Sequence, residues 1–118
     1  MEVFVTVSKG NACVMTQQGK GYLTEMPTGT ANEQRLHAVL GMLEHIKARP
    51  LVVVLDNKQV YRWVTQADDV KNGRLKKLTD AVHEAIRVGH GGVEFKWVLP
   101  GESLAVKMLP RLEARRTE

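Results

Sequence analysis

The stretch "LVVVLDNKQVYRWV", residues 51–64, decides the fold. It opens on five consecutive apolar residues and then meets Asp56. An apolar run of this kind, without polar alternation, reads as a strand covered on both faces, as in parallel sheets with helices above and below. The residues after Asp56, "NKQVYRWV", read as a short helix. Asp56 therefore stands at the carboxyl end of a buried strand, the end at which open α/β sheets form their ligand crevices.

The flanking sequence supplies the partners such a strand needs. Upstream, "EVFVTV" (2–7) alternates and is rich in β-branched residues, which predicts a strand. "KGN" (9–11) turns it into "ACVMTQ", and "QGKG" (18–21) turns that into "YLTEM", giving an antiparallel meander. Leu36, Val39, Leu40, Leu43 and Ile46 recur at helical spacing and predict a helix over 31–48. Thr30 and Glu33 have the spacing of a capping box, and Pro50 closes the helix. Downstream, Leu75, Leu78, Val82, Ala85 and Ile86 mark a second long helix that ends at Gly89. "VEFKWV" (93–98) alternates as a fifth strand. Leu104, Ala105, Met108, Leu109 and Leu112 mark a last helix, with a kink expected at Pro110. If "LVVVL" pairs beside the first strand, the crevice is floored by Val7, Ser8 and Asp56.

A chain of 118 residues without a linker or repeat is one domain, 1–118. Its 43% apolar content is too high for disorder, and no apolar run approaches the ~20 residues that cross a bilayer. The N-terminus carries an acid at Glu2 and no basic region, so no secretion signal is expected and a cytoplasmic location is. A single cysteine, Cys13, excludes a disulfide framework and a cysteine zinc site, and reads as a small buried hydrophobe. His37, His45, His83 and His90 show no metal-ligand spacing, and no phosphate-binding glycine loop is present. No cofactor and no metal are expected. The net charge of +4 is compatible with nucleic acid without demanding it. Much of the excess lies in "VKNGRLKKL" and in the last 12 residues; solvated helix faces are the commoner explanation of such runs.

The order β-β-β-α-β-α-β-α and four motifs together resemble the type 1 ribonuclease H family. "TANEQRLHAVLGMLEHI" resembles its "T-N-N-x-x-E-L-x-A" helix, and "VVVLDNKQV" its strand followed by "Asp-Ser-x-x-V". "DVKNGRLKKLTDAVHEA" resembles the segment that carries its substrate-binding protrusion, and "VEFKWV" its "I-x-W-x-W-V" strand. The resemblance covers essentially the whole chain. It implies an α/β fold with a five-stranded mixed sheet and helices on both faces. That family cleaves the RNA strand of RNA–DNA hybrids with four carboxylates and two Mg²⁺ ions, held about 4 Å apart.

Laid on this chain, the family's first acid ("T-D-G-S") falls on Val7, its second on Arg35, its third on Asp56 and its fourth ("A-D-x-L-A") on Lys107. Asp56 alone is kept, and two lost acids have become cations that repel Mg²⁺ at close range. The histidine loop "G-H-x-G" is replaced by the shorter "LPGES". Glu33 is explained by its cap, and Glu102 reads as a solvated loop acid. The resemblance thus implies a domain that has lost hydrolysis, and its stripped form suggests a phage or mobile-element origin.

Two functional readings lead. In the first, the domain still holds nucleic acid (RNA, DNA or hybrid) through Lys58, Lys71, Arg74, Lys76 and Lys77, because backbone recognition is largely electrostatic. In the second, the fold serves as a scaffold for a protein partner or target, as an interaction or inhibitor module. An active nuclease with a rebuilt site stands behind both. For Asp56 itself the expectation is an ion pair with Arg35, Lys107 or both, the cations standing where the metals were; alternatively Asp56 caps the short helix after it.

Overall fold

Side-chain alternation over the first 25 residues builds β1 (Glu2–Ser8), β2 (Asn11–Thr16) and β3 (Gly21–Glu25). Lys9 and Gly10 both take positive φ, 52° and 80°, so the two-residue turn between β1 and β2 follows the twist of its strands. The structure, a computed structural model, describes residues 1–66, 68–89, 91–108 and 110. After the meander come α1 (Ala31–His45), β4 (Leu51–Leu55), α2 (Lys58–Val64), α3 (Gly73–Val88) and β5 (Val93–Trp97). A 3₁₀ turn at Pro100–Glu102 leads into a helical stretch at residues 104–108.

The sheet order is β3-β2-β1-β4-β5. β1, β2 and β3 pair antiparallel, whereas β4 lies parallel to both β1 and β5. The mixed sheet expected from the sequence is therefore the one observed. β4 is central, and its burial along nearly the whole strand explains why it lacks polar alternation.

Alternate side chains of each strand serve two cores. On one face Val3, Val5, Ala12, Val14, Leu51, Val53 and Leu55 meet Leu36, Val39 and Leu43 of α1, Val60 and Val64 of α2 and Val82 of α3. On the other face Cys13 and Met15 meet Ala105, with Phe4, Leu23, Leu104 and Met108 around them. Helices thus cover both faces.

The first helix ends at His45, short of the expected 48. Arg49 explains this: its guanidinium Nη1 donates to the carbonyls of Ile46 and Ala48, giving the chain past His45 partners outside a helix. Leu109 and residues 111–118, with Leu112 and most of the basic C-terminal run, lie outside the described residues; Pro110 is described as helical, and the kink expected there rests on its undescribed neighbours. Among the described residues, no helix is long and apolar enough to cross a membrane.

Candidate functional site

The carboxyl end of β4 lies beside β1. Their register pairs Val5 with Leu55, so the next residues to meet are Thr6 and Asp56. The Thr6 hydroxyl donates to Asp56 Oδ2 at 2.6 Å. Thr6 is the first-strand residue that bonds Asp56, and Val7 lines the same cavity beside it. Val7 shares the opposite parity with Val3 and Val5 and packs on the α1 side of the sheet. Of the floor expected from Val7, Ser8 and Asp56, Val7 and Asp56 line one cavity, Thr6 joins them, and Ser8 is not among its walls.

Arg35 reaches the same place from α1. It lines, with Val5, Thr6, Val7, Leu55, Asp56, Asn57 and Val60, a cavity of about 10 Å³. The expected convergence of Arg35 and Asp56 is present, but the ion pair is not. Among the described residues the ion pairs are Arg62–Asp68, at 2.9 Å, and Arg87–Glu84. In the second of these the hydrogen bond from Arg87 holds the Glu84 carboxyl below its usual range. Arg35 instead donates from Nη1 to Asn32 Oδ1 at 2.8 Å, one turn back on its own helix. Lys107 is exposed and is not a wall of the cavity. The expected bridge of Asp56 to Arg35 or Lys107 is therefore replaced by the Thr6 hydroxyl.

Asp56 does not cap α2 either. Asn57 takes that role, its Oδ1 accepting from the Val60 N–H at 2.9 Å. The Thr30 cap of α1 is present, with its hydroxyl accepting from the Glu33 N–H at 3.2 Å. Glu102 is exposed and accepts from the Leu99 N–H at 3.4 Å, closing its own 3₁₀ turn.

These residues do not fit the two-metal chemistry of the resembled family. Two divalent ions need several anionic oxygens and room for their waters. The cavity has one carboxylate, a guanidinium on its wall, and the space of about one water molecule. Among the described residues, no three of His, Cys, Asp or Glu are placed to hold a metal ion.

The basic residues form two sets. Lys58 opens α2 next to the site, and its Nζ lies 5.5 Å from the centre of the Trp97 ring, within cation–π range. Lys71, Arg74, Lys76 and Lys77 surround the start of α3 and are all exposed. None of the four is ion-paired with a described residue. Asn72, among them, caps α3 by accepting from the Arg74 and Leu75 N–H groups at 3.0 and 3.2 Å. Lys76 shares a groove of about 470 Å³ with Asp68, Asp69 and Asp80, so its field is partly opposed. Sequence reading missed Thr6 and the Asn72 cap. The signal for Thr6 was its parity with Phe4 on β1.

With five strands in the order β3-β2-β1-β4-β5 and helices on both faces, the molecule has a ribonuclease H-like fold. It shares that fold with ribonuclease H1 of the halophilic archaeon Halobacterium salinarum, at 13% identity and a TM-score of 0.74, over 98% of this chain and 99% of that one. It is equally similar to the compost-derived LC11 ribonuclease H1 in complex with an RNA/DNA hybrid, at 12% identity and a TM-score of 0.75, over 99% of each chain. The N-terminal ribonuclease H domain of a Mycobacterium tuberculosis protein matches at 15% identity and a TM-score of 0.70, over 98% of this chain and 96% of that one. No protein-family model and no curated protein matches the sequence. The likeness is one of fold, and the carboxylate cluster is lacking among the described residues.

Proposed function

We propose that the chain is a catalytically silent ribonuclease H-like domain that holds a nucleic-acid backbone on the basic entry to α3. The observation that carries this is the exposure of Lys71, Arg74, Lys76 and Lys77 with no ion pair to a described residue. Cations left uncommitted on one segment suit phosphates, whose binding needs no metal and no base-reading motif. Lys58 adds charge at the carboxyl end of the sheet. The one carboxylate at the Thr6–Asp56 site supports loss of hydrolysis. A cytoplasmic location and a phage or mobile-element origin belong to the same reading.

A second reading, a protein-binding module, is favoured by apolar side chains left at the surface near the end of β5. Trp97 is 38% exposed and Leu99 57%.

One titration separates them. A labelled RNA–DNA hybrid is mixed with the protein in low salt with Mg²⁺ or Mn²⁺, and anisotropy and strand integrity are followed together. Binding without cleavage is expected, weakening steeply with salt and showing little sequence preference. The triple variant K71E/R74E/K77E should lose at least about tenfold in affinity, and K76E less, because Lys76 already faces three acids. No binding at low salt moves protein binding ahead. Metal-dependent cleavage that vanishes in Asp56→Asn overturns both readings.

A further inference from the structure

β5 is an edge strand whose outer side pairs with no described strand. Its inner side is used by β4: the Leu51 N–H donates to the Gly92 carbonyl at 2.8 Å, and the Val98 N–H donates to the Leu55 carbonyl at 2.9 Å. In a parallel ladder, alternate residues turn their backbone groups to the same neighbour. Gly92, Glu94, Lys96 and Val98 therefore face β4. The N–H and C=O groups of Val93, Phe95 and Trp97 point off the open edge. Such an edge is a template for another strand.

The side chains of this edge say which strand fits. "VEFKW" (93–97) is complementary to itself when a second copy runs antiparallel about Phe95. Phe95 then meets Phe95 of the other copy, and Val93 meets Trp97. These are the residues whose backbone groups are free to pair. About six inter-chain backbone bonds result, two for each hydrogen-bonded pair. Between them Glu94 meets Lys96 of the other copy, and Lys96 meets Glu94. Both are exposed and share one face of the sheet. Opposite charges directly across a strand pair are stabilising, and aromatic and β-branched neighbours add to them.

The other edge lacks this match. β3, "GYLTE", folded on itself about Leu23, sets Gly21 against Glu25 and Tyr22 against Thr24, with no charge pair. Nor does Lys96 or Glu94 have an ion pair within its own chain among the described residues. We infer that β5 is a homodimerisation edge: two copies of this chain join antiparallel through residues 93–97 about a two-fold axis at Phe95, continuing the sheet from one copy into the next. The contact is one strand long, so the dimer is weak and concentration-dependent.

The experiment is sedimentation equilibrium of the full chain over a wide concentration range, with charge variants. The parent should pass from monomer to dimer as concentration rises. Lys96→Glu places like charges opposite each other twice and should raise the dimer dissociation constant at least about tenfold. Glu94→Lys should do the same. The double exchange E94K/K96E restores both opposite pairs and should recover dimerisation to near the parent's level. Both residues are exposed, so circular dichroism is expected to show all variants folded. Hydrogen exchange at the Phe95 and Trp97 amides should slow as the parent dimerises. A parent that stays monomeric up to about 1 mM, the limit of weak association, overturns the inference, whatever foreign strand the edge then accepts. So does a dimer indifferent to Lys96→Glu, or a double exchange that fails to rescue.

Discussion

Asp56 is an acid answered by a hydroxyl rather than by a cation. The Thr6 Oγ1 bond is short, 2.6 Å, and Thr6 is nearly buried. A hydrogen bond to a charged group contributes about 1.5–3 kcal/mol, enough to keep a half-buried carboxylate at the strand end without a metal. Thr6 lines the same cavity as Asp56 and Arg35, so a cluster can be rebuilt around it. The variant T6D/R35E would place three carboxylates on its walls, and we expect it to bind Mn²⁺ with a dissociation constant on the order of 0.1–1 mM. Thermal melts should rise on adding Mn²⁺ for T6D/R35E. They should not rise beyond the parent's response for S8D/R35E, because Ser8 is not a wall of the cavity. Without metal, T6D/R35E should melt below the parent, because crowded carboxylates repel. Equal responses from the two variants would mean that the cavity does not gather the metal. The sequence makes Asp56 visible, because it ends an apolar run. Its partner is hidden, because the Thr6 hydroxyl stands at no acid position of the resembled motif. Arg35 is legible as a neighbour of Asp56, but its bond is not: it donates to Asn32, one turn back on α1.

At the scale of elements, the helices begin where small polar side chains accept orphan N–H groups. Thr30, Asn57 and Asn72 each do so. Before α2 the chain offers two good caps side by side, Asp56 and Asn57. The choice is made by the sheet: Thr6 engages Asp56, and Asn57 is left to bond Val60. No local pattern contains that choice. Helix periodicity and strand alternation, by contrast, are local, which is why all five strands and α1, α2 and α3 are readable from residues alone. The end of α1 is not, since it depends on Arg49 folding back onto the carbonyls of Ile46 and Ala48. Asn57→Ala and Asn72→Ala should each cost about 1 kcal/mol in urea unfolding. Asn72→Ala should be at least as costly, because its Oδ1 serves two N–H groups. Asp at either position should restore most of the loss, since Asp caps as well as Asn. An Asn57→Ala variant as stable as the parent would mean that Asp56 can take over the cap.

For the whole molecule, the sheet divides two cores of unequal size. The larger joins β1, β2 and β4 to α1, α2 and α3. The smaller has Cys13, Met15 and Ala105 at its centre, and its described cover is the short helical stretch at 104–108. A cover of this kind should open at lower free energy than the sheet beneath it, because few apolar contacts among the described residues hold it. Cys13 reports on that difference: it is the single cysteine, 0% exposed, and it lies against the cover. Ala105→Asp puts a carboxylate into the seam, where an unpaired charge is strongly disfavoured. The cover should lift while the larger core holds. In native buffer the rate at which a thiol reagent labels Cys13 should then rise at least about tenfold, far ahead of any loss in the urea midpoint of the sheet. Val82→Ala gives the contrast. Val82 is fully buried in the larger core, and its truncation should lower the global midpoint by creating a cavity on the opposite face. Labelling in that variant should follow global unfolding alone. If labelling in Ala105→Asp also only keeps step with the global midpoint, the two cores open together and the sheet does not separate them energetically.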